Sequence, residues 1–397
     1  MTKLHLTALG IVAAIGCGKR PVADRLFAKP ESGLVARDGL IPGIAAWVGA
    51  VEASLPEMPS ALRRFACRNN RLAALALDEI AAEIAEARRR YGPQRIAVIL
   101  GTSTSGIAEG ETALAARLSS GAWPPGYGYT QQEPGNLADF VAALLGVTGP
   151  AYTVHTACSS SGKAFASAER LIRAGFCDAA IVGGVDTICG LTLNGFHALS
   201  ALSPRPCNPF SRNRDGTSIG EGAAVFLLEK RPGPVALLGV GESSDAHHVS
   251  APEPSGAGAR LAMERGLAAA GLPPAAIGYV NLHGTATPLN DAMEGKAVAG
   301  LFGTATPCSS TKGLTGHALG AAAAVEAGFL WLALAAEYGD GLLPAHLWDG
   351  IADPEIPPLD LVGPGRRLAD PARAMLSNSF AFGGSNVSLV LGRGIAA

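Results

Sequence analysis

Short apolar runs alternate with longer amphipathic segments along most of this chain. Continuous apolar runs predict buried β-strands at Leu4–Leu9, Ile96–Leu100, Tyr152–His155, Ala179–Val182, Ala223–Leu228, Val235–Val240, Tyr279–Leu282, Ala374–Ser377 and Asn386–Leu391. Apolar residues at helical spacing predict α-helices at Leu62–Arg90, Leu137–Leu145, Ser159–Ala174, Gly258–Ala270, Ala292–Phe302 and His317–Ala336. Strands that alternate with helices predict an α/β class with buried, mostly parallel strands.

A charged and proline-rich joint, Glu229–Pro234, separates two halves that each contain several strands and helices. It predicts an N-terminal unit at residues 1–231 and a C-terminal unit at residues 232–397. The two halves show no clear sequence repeat, so the hydrophobic pattern alone does not establish a structural one.

Composition narrows the class of protein. The chain has 397 residues, 48% hydrophobic and 16% charged, so it can bury a large core. A net charge of -2 gives no overall attraction to nucleic acid. The 7 cysteines include no CxxC pair, which argues against a disulfide framework or zinc knuckle and fits a reducing cytoplasm. We therefore expect a cytoplasmic protein without a metal site.

Membrane insertion is not expected either. The apolar run Leu4–Ile15 is interrupted by polar residues and lacks a basic leader, so it is interpreted as a first buried strand. The run Ala318–Ala336 approaches the length of a membrane helix, but Glu326 within it favours a buried core helix.

Cys158 directly follows the predicted strand and precedes a helical pattern that ends at Gly175. This order predicts a strand, a tight turn and a helix, with the thiol at the start of the helix. There the helix dipole and free backbone N–H groups favour the thiolate, which is the nucleophilic form of cysteine. From this segment alone, a buried cysteine that acts only as a small apolar residue remains the alternative.

Two histidines stand downstream in loops rich in glycine and threonine. His283 follows a predicted strand, at the kind of strand end where α/β sheets bind ligands. Lys312 and His317 lie in a glycine-rich turn before the Ala-rich helix. A further loop, Ser377–Asn386, contains glycines that allow backbone N–H groups to face a ligand, or that simply join two strands.

Four motifs occur in one order: TACSSS around Cys158, HGTATPLND from His283, SSTKGLTGHALG containing Lys312 and His317, and FAFGGSN around Phe382. In this combination the chain resembles the β-ketoacyl-acyl carrier protein synthases of the Cys-His-His group, over nearly its whole length. The resemblance implies a thiolase fold with five αβαβα layers and two pseudo-symmetric halves, the first carrying the cysteine and the second both histidines. It implies an acyltransferase without a cofactor, because substrates arrive on the phosphopantetheine arm of a carrier protein.

The resemblance also assigns chemical roles. Cys158 takes an acyl group from a carrier thioester, while His283 and His317 stabilise the enolate that forms as malonyl-carrier protein loses carbon dioxide. The backbone N–H groups of Cys158 and Phe382 hold the oxyanion of the condensing step. The expected reaction is a decarboxylative Claisen condensation in fatty-acid or polyketide-like chain elongation.

Supporting residues follow from the same resemblance. Lys312 is expected to pair with Glu326, because a buried lysine needs a counter-charge. Asp291 is expected to support the loop of His283. The residues expected to contact the phosphopantetheine arm or the acyl chain are Thr285, Thr287, Ser250, Thr104, Thr217 and Phe380.

Two departures from the family pattern concern the acyl pocket. Thr217 stands where the family commonly has phenylalanine, and Thr104 where fatty-acid enzymes often have a bulky aliphatic residue. Both changes predict a more polar or roomier pocket. They suggest a polar or unsaturated chain, such as a polyene or aryl-polyene intermediate.

The resemblance implies two protein partners. An acidic acyl carrier protein is expected to dock on a basic rim formed by Arg63, Arg64, Arg68 and Arg205. A dimer is also expected, either with an identical subunit or with a related ketosynthase-like subunit, and the segment around Tyr129 is expected to reach the partner's pocket.

Three alternative functions differ from this one at single residues. A catalytically silent, chain-length-setting partner subunit lacks the nucleophile, so Cys158 argues against it. A thiolase has a second catalytic cysteine in its C-terminal glycine-rich loop, where this chain has FAFGGSN. A synthase with asparagine in place of one histidine is excluded by His317.

Overall fold

The computed structural model describes residues 3–370 and 373–394. Its β-strands are β1 (Leu4–Ala13), β2 (Gly16–Cys17), β3 (Leu34–Ile41), β4 (Ile44–Gly49), β5 (Ile96–Gly101), β6 (Ala151–Val154), β7 (Ala179–Asp186), β8 (Ile219–Gly220), β9 (Gly222–Glu229), β10 (Val235–Ser244), β11 (Ile277–Asn281), β12 (Pro307–Ser309), β13 (Asp360–Leu361), β14 (Ala374–Phe380) and β15 (Ser385–Arg393). Its α-helices are α1 (Lys19–Ala23), α2 (Arg68–Asp78), α3 (Ala81–Tyr91), α4 (Ile107–Ser120), α5 (Asn136–Leu145), α6 (Ser160–Arg173), α7 (Gly190–Ala198), α8 (Ala257–Ala270), α9 (Pro288–Phe302), α10 (Lys312–Thr315) and α11 (Ala322–Leu334). Short 3-10 helices lie at Ser60–Phe65, Pro93–Arg95, Tyr129–Gln132, Pro274–Ala276, Leu319–Ala321 and Phe382–Gly384, and a π-helical turn lies at Asp24–Ala28.

The two halves of the chain have the same strand arrangement. Neighbouring strands run β1-β9-β7-β5-β6 in the first half and β10-β15-β14-β11-β12 in the second, with β13 outermost. In both series the first strand of the half lies beside its last. The series join where β1 pairs antiparallel with β10. These observations confirm the predicted α/β fold with two pseudo-symmetric halves, whereas the division at 231/232, between β9 and β10, stays a prediction.

The prediction of mostly parallel strands is wrong. β5 is parallel to β6 and β7, and β11 to β12 and β14. However, β9 is antiparallel to β1 and β7, and β15 is antiparallel to β10 and β14. Helices cover both faces of the sheet, so antiparallel strands such as β7 and β9 are buried at every position and also consist of continuous apolar runs.

Two central helices lie between the sheet halves and position the site. α6 and α11 pack against each other, α6 contacts β5 and β7, and α11 contacts β9 and β14. Every residue of α11 is buried, which explains why this helix is apolar on all sides. α2 and α5 pack on the strands of the first half, and α8, with α9 beside it, packs on those of the second. The result is the predicted succession of five layers.

Two predicted helices have different limits. The segment 62–90 divides into a short turn, α2 and α3, and Glu79 at the break accepts hydrogen bonds from the backbone of Ile11 and Lys19. α11 begins five residues after the predicted start, because Leu319 before it has a φ of 48°. The hairpin of β3 and β4 and helix α4 are missing from the prediction; most of β3 and half of α4 are exposed, so neither forms a continuous buried pattern. Within the described residues, no helix is both long and apolar enough to cross a membrane.

Candidate active site

Cys158 lies at a strained turn between β6 and α6. Ala157, immediately before it, has a φ of 51°, in the left-handed region that residues with a Cβ rarely adopt. The hydroxyl of Ser160 accepts a hydrogen bond from the N–H of Thr156 at 2.9 Å and closes the turn. The thiol is 6% exposed and directly precedes α6. The structure therefore has the strand, turn and helix that the sequence predicts.

Both histidines reach this cysteine from the second half of the chain. Nε2 of His317 lies 2.9 Å from Sγ of Cys158. The ring centroid of His283 lies 5.2 Å from that of His317, with the rings at 84°. His317 is fixed by its own backbone, because its N–H donates to the carbonyl of Ser218 at 2.7 Å. The fold thus brings together three side chains that are widely separated in the sequence.

Burial controls the protonation of these groups. It raises the pKa of the Cys158 thiol to about 12, against the lowering effects of the Lys312 ammonium and the Phe382 N–H. It lowers the pKa of His283 and His317 well below the usual value, and Lys312 acts in the same direction. Near neutral pH both imidazoles are uncharged and the thiol is protonated. The expectation of a resting thiolate is therefore not met, because desolvation outweighs the Lys312 ammonium and the backbone N–H groups of Phe382 and Cys158.

Alkylation of Cys158 by iodoacetamide is expected to accelerate about tenfold per pH unit between about pH 7 and about pH 10. Only the thiolate reacts, and the raised pKa keeps its fraction growing over this whole range. The rate would be measured by mass spectrometry of the Cys158 peptide in a pH series, with circular dichroism to verify folding. A plateau below about pH 9 would contradict the raised pKa.

The same three residues could also hold a metal ion, since Sγ of Cys158 and one ring nitrogen each of His283 and His317 all lie within 4.8 Å of one another. However, the ammonium of Lys312 acts electrostatically on all three groups and disfavours a second cation there. The expected absence of a metal stays a prediction.

Lys312 and Glu326 form the predicted ion pair. Nζ of Lys312 lies 2.5 Å from Oε1 of Glu326, and the side chains are 1% and 4% exposed. Burial raises the pKa of Glu326 to about 7, while the lysine opposes that shift. The pair holds a positive charge near the thiol, and α11 supplies the counter-charge that makes its burial tolerable.

Two carboxylates on α9 fix the loop of His283. Asp291, predicted as support, accepts a hydrogen bond from the N–H of Ala286 at 3.1 Å. Glu294, which sequence reasoning missed, accepts the N–H groups of His283 and Gly284, both at 2.8 Å. Its position one helical turn after Asp291 was the available signal.

The loop that carries Phe382 is held from two sides. The backbone N–H of Phe382 lies close enough to the sulfur of Cys158 to lower the pKa of the thiol. The ring of Phe382 stacks on Phe196, with centroids 5.4 Å apart at 20°. The N–H of Gly383, whose φ is 80°, donates to the carbonyl of Val249 at 2.8 Å. A fixed N–H beside the sulfur is the geometry that an oxyanion donor requires.

A cavity of about 300 Å³ lies over the three central side chains. The hydroxyls of Thr285 and Thr287 are 3.0 Å apart, and the Phe380 ring centroid lies 6.1 Å from that of His283. Four predicted substrate-binding residues are part of its wall: Thr285, Thr287, Ser250 and Phe380.

Thr104 and Thr217 are not among the residues that line this cavity, so their predicted contact with substrate stays a prediction. The hydroxyl of Thr104 donates to Asp186 at 2.7 Å and accepts the N–H of Thr187 at 3.0 Å. Thr217 is buried and its carbonyl accepts the N–H of Ser203 at 2.8 Å. A buried hydroxyl turns toward polar partners. The replacement of an aliphatic residue by threonine is therefore a poor guide to pocket polarity.

Arg68 forms an ion pair within the chain. Its guanidinium lies 2.6 Å from Glu221, whose side chain is 2% exposed, and it also donates to the carbonyl of Val51. The pair gives Arg68 a structural role, and its predicted role in carrier docking stays a prediction. Arg68 neutralises the carboxylate of Glu221, which is buried.

The R68A variant is expected to lower the free energy of unfolding by about 2–3 kcal/mol, because Glu221 would remain buried without its cation. Urea denaturation followed by circular dichroism would measure this, with R64A as the control because Arg64 is exposed. Equal stability of R68A and R64A would show that the Glu221 pair contributes little.

The other three arginines lie nearer the solvent. Arg205 pairs with Asp215 at 2.7 Å. The guanidinium of Arg64 lies 4.6 Å from the ring centroid of Phe65, and Arg63 is exposed. These three residues keep their predicted role in carrier docking as a prediction.

Sequence reasoning also missed two buried polar residues beside the site. Nδ1 of His346 accepts the N–H of Ser310 at 3.0 Å, in the segment before Lys312. Asp186 accepts hydrogen bonds from the loop after β5. Neither stands in a motif, so only their three-dimensional surroundings identify them.

The chain matches two family models in succession. Residues 47–232 match the β-ketoacyl synthase N-terminal domain, and residues 235–344 match the β-ketoacyl synthase C-terminal domain. The site and fold agree with these matches. The chain belongs to the β-ketoacyl synthase family.

Two solved structures are similar to this chain over nearly its whole length. The chain superposes on the ketosynthase ApeO in complex with its chain length factor ApeC from Xenorhabdus doucetiae, with a TM-score of 0.93, 46% identity and coverage of 99% of this chain and 98% of that one. It also matches the ishigamide ketosynthase/chain length factor, with a TM-score of 0.88, 26% identity and coverage of 98% and 99%.

Curated relatives include the mitochondrial 3-oxoacyl-[acyl-carrier-protein] synthase of Arabidopsis thaliana, 39% identical over 63% of this chain. The 3-oxoacyl-[acyl-carrier-protein] synthase 2 of Rhizobium meliloti is 38% identical over 66% of this chain. The matched segments span 58% and 66% of those relatives' own lengths.

Proposed function

We propose that this chain is a β-ketoacyl-acyl carrier protein synthase that condenses an acyl group on Cys158 with malonyl-carrier protein. The observation that carries the proposal is the 2.9 Å contact between Sγ of Cys158 and Nε2 of His317, beneath a cavity that His283 also lines. The family match supports the same reaction.

In the first half-reaction, Cys158 takes the acyl group. Nε2 of His317 accepts the thiol proton, and the sulfur attacks the carbonyl of the acyl-carrier thioester. The carrier's sulfur leaves and takes the proton back from His317, so the imidazole is neutral again. Because the pKa of the resting thiol is raised, the thiolate forms only as the proton moves.

In the second half-reaction, malonyl-carrier protein loses carbon dioxide and leaves an enolate. His283 donates an N–H to the enolate oxygen, and so does His317 once its proton has moved from Nδ1 to Nε2, because a neutral imidazole carries only one N–H. The enolate carbon attacks the acyl thioester on Cys158, and the N–H of Phe382 stabilises the oxyanion with that of Cys158. Collapse breaks the carbon–sulfur bond, releases the 3-ketoacyl carrier, and the cysteine takes a proton from water.

The proposed acyl substrate is a polyene or aryl-polyene chain. The support does not come from Thr104 or Thr217, which lie outside the cavity wall. It comes from three phenylalanines at the cavity, Phe196, Phe380 and Phe382, because flat aromatic rings pack well against a planar conjugated chain.

Intact-protein mass spectrometry after incubation with a panel of acyl carriers tests both proposals. Addition of a polyenoyl mass at Cys158, faster than a saturated acyl mass of equal length, supports the substrate class. Preference for the saturated chain would contradict the proposed polyene substrate class but not the proposed condensation. Absence of any acyl addition, together with no release of carbon dioxide from malonyl-carrier protein, would indicate the silent partner subunit instead.

The proposed protein partners are an acyl carrier protein and a related ketosynthase-like subunit. Two structural neighbours are ketosynthases with a chain length factor. On this chain, Leu118 and Tyr129 are 79% and 68% exposed and Trp123 is also exposed, which is an apolar surface suited to a subunit contact. Light scattering of the purified chain tests this, since a stable monomer that no related subunit binds would contradict it.

A further inference from the structure

A buried carboxylate connects the two halves of the site. Asp186 is the last residue of β7 and is fully buried. Its Oδ1 accepts the hydroxyls of Thr102 and Thr104 and the backbone N–H groups of Ser103 and Thr104, each at 2.7 Å. Its Oδ2 accepts the N–H of Ala321 at 3.1 Å. All of these donors are neutral groups; those of Thr102, Ser103 and Thr104 lower the pKa of the Asp186 carboxyl, while burial, the larger effect, raises it.

Each oxygen of this carboxylate is connected by hydrogen bonds to the segment that carries one of the reacting groups. The hydroxyl of Ser103 donates to the carbonyl of Ala157 at 3.2 Å, and Ala157 is the strained residue directly before Cys158. Ala321 follows His317 by four residues, at the start of α11. The carboxylate of Asp186 therefore connects, through hydrogen bonds, the turn that carries Cys158 to the segment that follows His317.

We propose that Asp186 is a positioning residue that holds the sulfur of Cys158 and the ring of His317 at contact distance. The claim about turnover rests on the proposed condensing function, whereas the claim about geometry does not. Asp186 touches neither the cavity nor the reacting atoms, and it acts through the two segments that it joins.

The connection requires a carboxylate at position 186 because both of its oxygens accept hydrogen bonds. In an Asp186→Asn variant the amide oxygen can keep the donors of Thr102, Ser103 and Thr104. The amide nitrogen would then face the N–H of Ala321, a donor against a donor. The variant therefore releases the His317 side of the connection while it keeps the size of the side chain.

The charge of Asp186 gives the proposal a second signature. The groups that act on the thiol of Cys158 are Lys312, which eases its ionisation, and Asp186, which opposes it, beside the neutral rings of His283 and His317. Removal of the negative charge should ease ionisation, although burial remains the largest effect.

The experiment compares four variants in two assays, steady-state condensation and iodoacetamide alkylation of Cys158. D186N should lower kcat about tenfold with little change in KM, and should raise the alkylation rate at about pH 8 at least about twofold. D186E keeps the charge and should keep the wild-type alkylation profile. D178N is the matched control, because Asp178 lies at the opposite end of β7 and pairs with Arg95 at the surface. It should match wild type in both assays.

G320A tests the connection without a charge change. A Cβ on Gly320 would lie 2.8 Å from Oδ2 of Asp186 and 2.6 Å from the hydroxyl of Ser103, so one of them must move. It should lower kcat as D186N does while leaving the alkylation rate near that of wild type, and it remains informative if D186N does not fold.

Wild-type kcat and alkylation in folded D186N, or wild-type kcat in G320A, would overturn the positioning role. Failure of the wild-type chain to condense any carrier-bound substrate would instead remove the proposed function. In that case, faster alkylation in D186N than in D178N would still support the geometry.

Discussion

The C158A variant is expected to take up no acyl group and to lose condensation by at least about four orders of magnitude. Without the sulfur there is no covalent intermediate, and no other cysteine lines the cavity. Intact-protein mass spectrometry and a 3-ketoacyl product assay would measure the two effects. C177A is the matched control, because Cys177 is also buried but lies at the turn before β7, and it should retain activity.

A decarboxylation assay should distinguish the role of Cys158 from the roles of His283 and His317. Release of carbon dioxide from malonyl-carrier protein needs the two imidazoles and not the thiol, so C158A should keep it. H283A and H317A should each lose it by about two to three orders of magnitude, the usual effect of removing one oxyanion donor. Acyl mass on C158A, or unchanged decarboxylation in both histidine variants, would refute the assigned roles.

The K312A variant is expected to lower the free energy of unfolding by about 3–5 kcal/mol. It leaves the carboxylate of Glu326 inside a fully buried helix without its counter-charge. A K312M/E326L double variant should recover most of this loss, because it removes both charges. Urea denaturation monitored by circular dichroism would measure all three proteins. E264Q is the control, because the pair of Glu264 with Arg260 is exposed and should contribute below about 0.5 kcal/mol.

The loss in K312A should also depend on pH. Burial already raises the pKa of Glu326 in the folded protein, and removal of Lys312 takes away the group that opposes this. A group whose pKa is raised on folding favours the folded state at low pH, and that contribution is lost as the pH rises through the folded pKa. The destabilisation of K312A relative to wild type should therefore be smaller at about pH 5 than at about pH 8. The opposite trend would contradict a raised pKa.

Sequence reasoning succeeded where one local segment contains the whole signal. The turn at Cys158 follows from a strand run, small residues and a helical pattern that are adjacent in the chain. The pair of Lys312 and Glu326, which the resemblance implied, joins the turn before the Ala-rich helix to a residue within that helix. The resemblance carried by the motifs predicted the fold, and the comparisons confirm it.

It failed where a side chain's role depends on remote partners. The sequence did not reveal the ion pair of Arg68, because its partner Glu221 lies far along the chain. It also did not reveal that the hydroxyl of Thr104 donates to Asp186. Glu294 stands in no motif, although it fixes the backbone of His283.

The amino-acid sequence by itself determined most of the buried strands and helices, their alternation, and the residues able to act as nucleophile and donors, since these depend on neighbours within a few positions. The tertiary structure decided strand direction, the 2.9 Å approach of His317 to Cys158, and the protonation of both. Distances between remote segments and the loss of water around a side chain exist only once the two halves have packed together, so no local pattern contains them.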